Sequence, residues 1–150
     1  MKVYLGKSYG LTADKSMATW IQLLKTFKKI RAKEAVYIKS FDLTMNQFEV
    51  LEVLYHRGDL SIGEITKLIL GTPGNITVVI KNLIKNGYIN SIPNPKDKRF
   101  FIISITQKGI DVMDRLFPGH AKNFENYLEV LNDDETETLF KLLRKLHKSQ

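Results

Sequence analysis

Three helix-start signals in close succession constrain this chain more than any other feature. Thr44 and Gln47 have the spacing of a capping box, in which the Thr hydroxyl accepts from a backbone N–H and the Gln side chain reaches back to the cap. Leu43 and Phe48 bracket the box as a hydrophobic staple would. The device repeats at Ser61 and Glu64, bracketed by Leu60 and Ile65. Thr72 then precedes Pro73, which loses no hydrogen bond at a first helical position. The expected helices run from Thr44 through Leu51 and Leu54 to Gly58, from Ser61 to about Leu70, and from Thr72 to Asn86, where Gly87 supplies the left-handed stop.

On the third helix the spacing turns Ile76, Ile80, Leu83 and Ile84 inward. Gly74, Asn75, Thr77, Val78, Lys81, Asn82 and Lys85 are left facing out. The period then changes. Residues 88–92 and 100–105 are β-branched or aromatic runs on either side of the turn-rich basic segment 93–99, which predicts a two-stranded hairpin with a positive tip. Two short helices, an outward-facing polar and basic third, and such a hairpin describe a winged helix-turn-helix. The class is mainly α with a small β-hairpin wing.

Longer helices flank this unit. Met17, Trp20, Ile21, Leu24 and Phe27 form one helical face, predicting a helix over about Asp14–Lys39. Thr106 caps a further helix expected to break near Pro118-Gly119. A last amphipathic helix after Asn132 presents Leu139, Leu142, Leu143 and Leu146 at seam spacing.

Charge points to a polyanionic partner. The net formal charge is +7, and it is unevenly distributed: residues 1–40 carry nine basic against two acidic residues, and 106–150 carry seven against eight. The C-terminal third is thus not expected to face nucleic acid. There is no cysteine, which removes disulfides, thiolate metal sites and thiol switches. The first ten residues lack a secretory apolar core and no run approaches a membrane span, so a cytoplasmic location is expected. There is no P-loop, GxGxxG, GxSxG or cysteine nucleophile, and no enzyme or cofactor is expected. His56, His120 and His147 have no metal-ligand spacing and read as surface or locally bonded side chains.

Each exposed residue of the third helix suits double-stranded DNA. Asn75 can pair with adenine or phosphate, the methyl groups of Thr77 and Val78 can meet thymine methyls, and Lys81 can reach guanine or backbone. Gly74 admits close main-chain approach, and Thr72, Asn82 and Lys85 complete the face. At the hairpin tip Arg99, flanked by Lys96 and Lys98, suits a narrow minor groove, with Asp97 orienting it. The bland alternative is a solvated helix face and an ordinary turn. A second alternative is a winged helix used for protein contact, although an interface core would be richer in aromatic side chains.

The stretches Leu43–Leu51, Gly74–Thr77, Leu83–Ile89, Asp97–Arg99 and Ile105–Gly109 resemble the MarR family of multiple-antibiotic-resistance-type regulators. The Asp-x-Arg of the wing followed by Thr-x-x-Gly is the most specific part. The resemblance implies one domain: dimerisation helices over about residues 14–40 and 107–150, and a DNA-binding lobe over about 41–106. It implies a homodimer on pseudo-palindromic sites, usually repressing transcription and released by a small aromatic or phenolic ligand. It also implies Arg99 as the minor-groove arginine, Asp97 as its partner, and Asn75, Thr77 and Lys81 as major-groove positions. Val78 and Val79 depart from the basic residue that many relatives carry nearby. Trp20, Leu24, Phe27 and Phe48 are candidate linings for a ligand pocket between dimerisation helices and lobe, although such an aromatic stripe is more often core.

Overall fold

A computed structural model describes residues 7–69, 76–94 and 101–149. The elements in chain order are α1 (Leu11–Lys39), α2 (Met45–Arg57), β1 (Leu60–Ser61), α3 (Ile62–Leu68), α4 (Ile76–Lys85), β2 (Ile89–Pro93), β3 (Phe101–Ile105), α5 (Gln107–Leu128) and α6 (Asp133–Lys148). The fold is mainly helical with a small antiparallel sheet, as expected.

Both capping boxes form. Thr44 accepts from Gln47 and Ser61 from Glu64, and each partner side chain returns a bond to the cap. A third box, Asn132 with Glu135, starts α6. At α1 the start moves three residues upstream of the expectation, because Asp14 folds back to accept from Tyr9 N–H and from the Ser8 hydroxyl. Those bonds also hold the Asp14 carboxyl below the usual carboxylate range.

The wing has one strand more than the two expected. The sheet order is β1-β3-β2, with Ile89 opposite Ile105 and Pro93 opposite Phe101, and β1 adds Leu60 opposite Ile103. Two residues are too few to show a period of two, so β1 left no trace in the alternation of the sequence. The core under the sheet joins Leu51 and Leu54 of α2, Ile65 of α3, Leu83 of α4, Ile103 of β3 and Met113 of α5, all fully buried.

Two expectations need correction. Ile84 is 39% exposed, and Val79 takes its place in the buried stripe with Ile76, Ile80 and Leu83. At about 100° per residue Val79 lies nearer the centre of that stripe than Ile84 does. Second, α5 does not break at Pro118 but runs unbroken to Leu128. There α1 crosses it: the Tyr37 hydroxyl donates to the Leu116 carbonyl at 2.8 Å. Gly119 leaves the space that hydroxyl occupies, and a Cβ there would overlap it. Tertiary contact at the proline outweighs the one helical bond it forfeits.

The α1–α5 contact is built around a buried carboxylate. Glu34 is 3% exposed. One oxygen accepts from the Tyr127 hydroxyl at 2.8 Å and from Asn123 at 3.0 Å, and the other meets His120 Nδ1 at 2.5 Å. His120, expected at the surface or in a local bond, is thus held across 86 residues of sequence, its ring packed against Phe48, Phe117 and Phe124. Sequence did carry a hint: Glu34 stands midway between Ile30 and Ile38 on the inward stripe of α1.

Removing the carboxylate leaves three partly buried polar groups facing a void. Glu34→Ala is expected to cost about 3 kcal/mol. Urea denaturation at fixed protein concentration measures it, and an unchanged midpoint would strip the carboxylate of its structural role. Alkali should attack the same joint. Burial and the Glu34 carboxylate push the Tyr127 phenol from 10.0 up to about 12, so its neutral form is favoured in the fold. That contribution is complete below pH 10 and disappears as pH rises toward 12. Over this window wild-type stability should fall more steeply than that of Tyr127→Phe.

Candidate nucleic-acid interface

Helix α4 is divided lengthwise. Ile76, Val79, Ile80 and Leu83 are buried against the core, and Thr77, Val78, Lys81, Asn82 and Lys85 are all exposed. At about 100° per residue these five occupy an arc of about 140° opposite the buried stripe. Only Val78 of the valine pair belongs to that surface, because Val79 is 7% exposed. α3 packs against α4 and α2 lies behind both, the arrangement of a helix-turn-helix. Lys81 and Lys85 are one turn apart on the exposed arc. The face therefore offers a methyl-bearing hydroxyl, an apolar β-branched group, an amide and two ammonium groups, which suit base edges and phosphates together.

Helix α4 is fixed at its C-terminal end. Gly87 adopts φ 74°, Gly87 N–H bonds to the Ile84 carbonyl, and Tyr88 N–H bonds to that of Leu83. This is the paired bonding of a Schellman stop. From there β2 begins at Ile89 and pairs with β3 as far as Pro93 opposite Phe101.

Thr72, Gly74, Asn75, Lys96, Asp97, Lys98 and Arg99 lie outside the described residues. The four candidate ligand residues differ in exposure within the protomer. Trp20, Leu24 and Phe27 are 56%, 37% and 47% exposed along α1, whereas Phe48 is buried in the core with its ring 4.9 Å from His120. A groove of about 430 Å³ lies along the end of α6 and is lined by Lys141, Arg144, Lys145, Lys148 and Ser149, none of the four. Sequence reasoning also missed the polar seam between α1 and α2. There Arg31 pairs with Glu49 at 2.6 Å, while the second Glu49 oxygen is buried with no hydrogen-bond partner among the described residues. Burial pushes the nearby Glu52 carboxyl up, against the pull of His120 and His56. No group of three or more His, Asp or Glu side chains among the described residues could hold a metal ion, and no described helix is long and apolar enough to cross a membrane.

Fold and face together define a winged-helix DNA-binding protein. The sequence model of the MarR family matches residues 43–100. The HTH-type transcriptional regulator MhqR of Bacillus subtilis is 31% identical over 133 residues, covering 89% of this chain and 92% of the relative. The chain belongs to the MarR family of transcription regulators. Its fold is shared with a serine-for-cysteine variant of Escherichia coli MarR complexed with operator DNA, at a TM-score of 0.81, 22% identity and coverage of 91% and 99% of the two chains. It is shared equally with Bordetella bronchiseptica BpsR, whose DNA binding is regulated by 6-hydroxynicotinic acid, at a TM-score of 0.79, 22% identity and coverage of 87% and 98%.

Lys81→Ala is expected to weaken duplex binding and lower the slope of log affinity against log salt by about one, the mark of a phosphate contact. Relaxed preference at a single base pair with an unchanged slope would instead make Lys81 a base reader.

Proposed function

We propose that this chain is a homodimeric repressor that reads a pseudo-palindromic operator and is released by a small aromatic or phenolic ligand. The observation that carries the reading is the lengthwise division of α4: one face is buried in the lobe, and the opposite face is polar, basic and exposed. Such a helix fits a major groove about 12 Å wide. Thr72, Gly74 and Asn75 extend the reading face toward the helix N-terminus, where phosphate is favoured. Arg99, supported by Lys96, Lys98 and Asp97, enters the adjoining minor groove.

The dimer is supported by apolar surface left outside the core. Trp20, Ile21, Leu24 and Phe27 on α1, and Leu139, Leu142, Leu143 and Leu146 on α6, are all at least 37% exposed. No residue of α6 is buried within its own protomer. Solitary exposed hydrophobic residues are unremarkable, but two contiguous stripes call for a covering surface. The two terminal helical segments, about residues 14–40 and 107–150, would then pair the protomers while residues 41–106 read DNA. E. coli MarR bound to operator DNA lends support to the DNA partner, and BpsR to an aromatic effector. Ligand release requires only that the effector favour a dimer in which the two reader helices no longer match successive major grooves. A coupling of about 1–3 kcal/mol suffices.

Selection of bound duplexes from a random pool tests the proposal. A recovered motif with twofold symmetry and half-sites about 10–10.5 base pairs apart is expected. A monomer in sedimentation that binds no duplex even at low salt would defeat it and favour a protein-contact module. On the recovered duplex, Arg99→Ala should lose about 1–3 kcal/mol of affinity without a change in melting temperature. Full affinity would remove Arg99 from the reading mechanism.

A further inference from the structure

We propose that Lys108, at the start of α5, is a positioning residue for DNA reading: it fixes the C-terminal end of the reader helix to α5 without itself touching DNA. The inference rests on the DNA-reading role of α4 argued above.

The chain leaves α4 through Asn86, Gly87 and Tyr88, and each of the three carbonyls is met by the start of α5. Lys108 Nζ donates to the Asn86 carbonyl at 2.8 Å, Thr106 Oγ1 donates to that of Gly87 at 2.7 Å, and Thr106 N–H donates to that of Tyr88 at 3.0 Å. The Lys108 ammonium also lies 4.8 Å from the centre of the Tyr88 ring. Its stem runs beside Gly87, where a Cβ would meet Lys108 Cδ at 3.9 Å. Gly109 closes the joint from the other side, because a Cβ there would overlap the Tyr88 carbonyl oxygen and Ile105.

Each contact serves one end of one helix. A helix C-terminus gathers unpaired carbonyls and negative partial charge, and a cation placed there satisfies both. Thr106 already has a local task, since its hydroxyl oxygen accepts from Gly109 N–H to cap α5. Lys108 has no comparable duty within α5, yet it reaches back 22 residues in sequence to the end of α4. With its ammonium engaged by a carbonyl and a ring, Lys108 sets the angle at which α4 leaves α5. It does not add a phosphate contact. Any shift of α5 is thereby delivered to the reader helix at its C-terminal end.

Lys108→Met keeps the methylene stem and removes the ammonium. In the free protein, amide hydrogen exchange over residues 83–88 is expected to accelerate, with the middle of α5 unchanged. On the selected duplex, affinity should fall about fivefold with the salt slope intact, and Lys108→Arg, which keeps a donor and can lie over Tyr88, should restore both readings. Unchanged exchange overturns the proposal without reference to DNA. A slope reduced by about one shows a phosphate contact and overturns it too. If exchange accelerates but the wild-type chain binds no duplex, the joint exists and the role in reading falls with the proposed function. Thermal melting of both variants separates local loosening from global unfolding.

Discussion

A carboxylate removed from water between two long helices is the constraint on which the rest of this molecule depends. Glu34 projects from α1 into α5 and is met by His120, Asn123 and Tyr127, which are spaced three and four residues apart and so lie on one face. An ion buried without such partners would cost several kcal/mol, so α5 can rotate or slide against α1 only by uncovering it. The contact therefore selects one register between the helices. Tyr37 reinforces it one turn further along α1 through the Leu116 carbonyl, and Tyr55 of α2 joins α5 through a 2.5 Å bond to Asp114.

From that fixed axis the helix-turn-helix and its sheet are hung by short-range devices. Cap boxes at Thr44 and Ser61 begin α2 and α3, and a glycine stop ends α4. None of these has much reach alone, each being worth about 1 kcal/mol. Their joint effect is to make the chain turn at set positions, so that the apolar stripe of α4 meets α2 and α3 while its polar side is left uncovered. Charge and burial thus divide α4 along its length, and the exposed polar arc is the complement of a packing requirement.

Most of this was legible in the sequence because it is encoded locally. The caps at Thr44, Ser61 and Thr106, the stop at Gly87 and the two long wing strands all depend on residues within four or five positions of one another. What eluded the sequence depends on distant partners. The continuity of α5 through Pro118 requires Tyr37, and the burial of His120 requires Glu34. The exchange of Val79 for Ile84 in the buried stripe is set by which side of α4 the neighbouring helices approach, and β1 exists only because β3 is there to pair with it. Of the candidate site, Thr77, Val78, Lys81, Asn82 and Lys85 were correctly assigned to the exposed side, since a ten-residue helix with one apolar stripe leaves little choice. Phe48 proved buried while Trp20, Leu24 and Phe27 are exposed, because helical spacing within α1 says nothing about which way α2 turns its own phenylalanine.

Helix α1 has a consequence for how the molecule comes apart. Of its 29 residues only Glu34 and Ile38 are buried, and both belong to its last two turns. The preceding stretch leaves Trp20, Ile21, Leu24 and Phe27 exposed and, apart from the Arg31–Glu49 pair near its end, has little packing to offset the entropy of staying helical. Its order is borrowed from whatever covers it. Should the protomers pair through this stripe as proposed, helix content in this segment would obey mass action, fraying first on dilution while the rest of the fold remains intact.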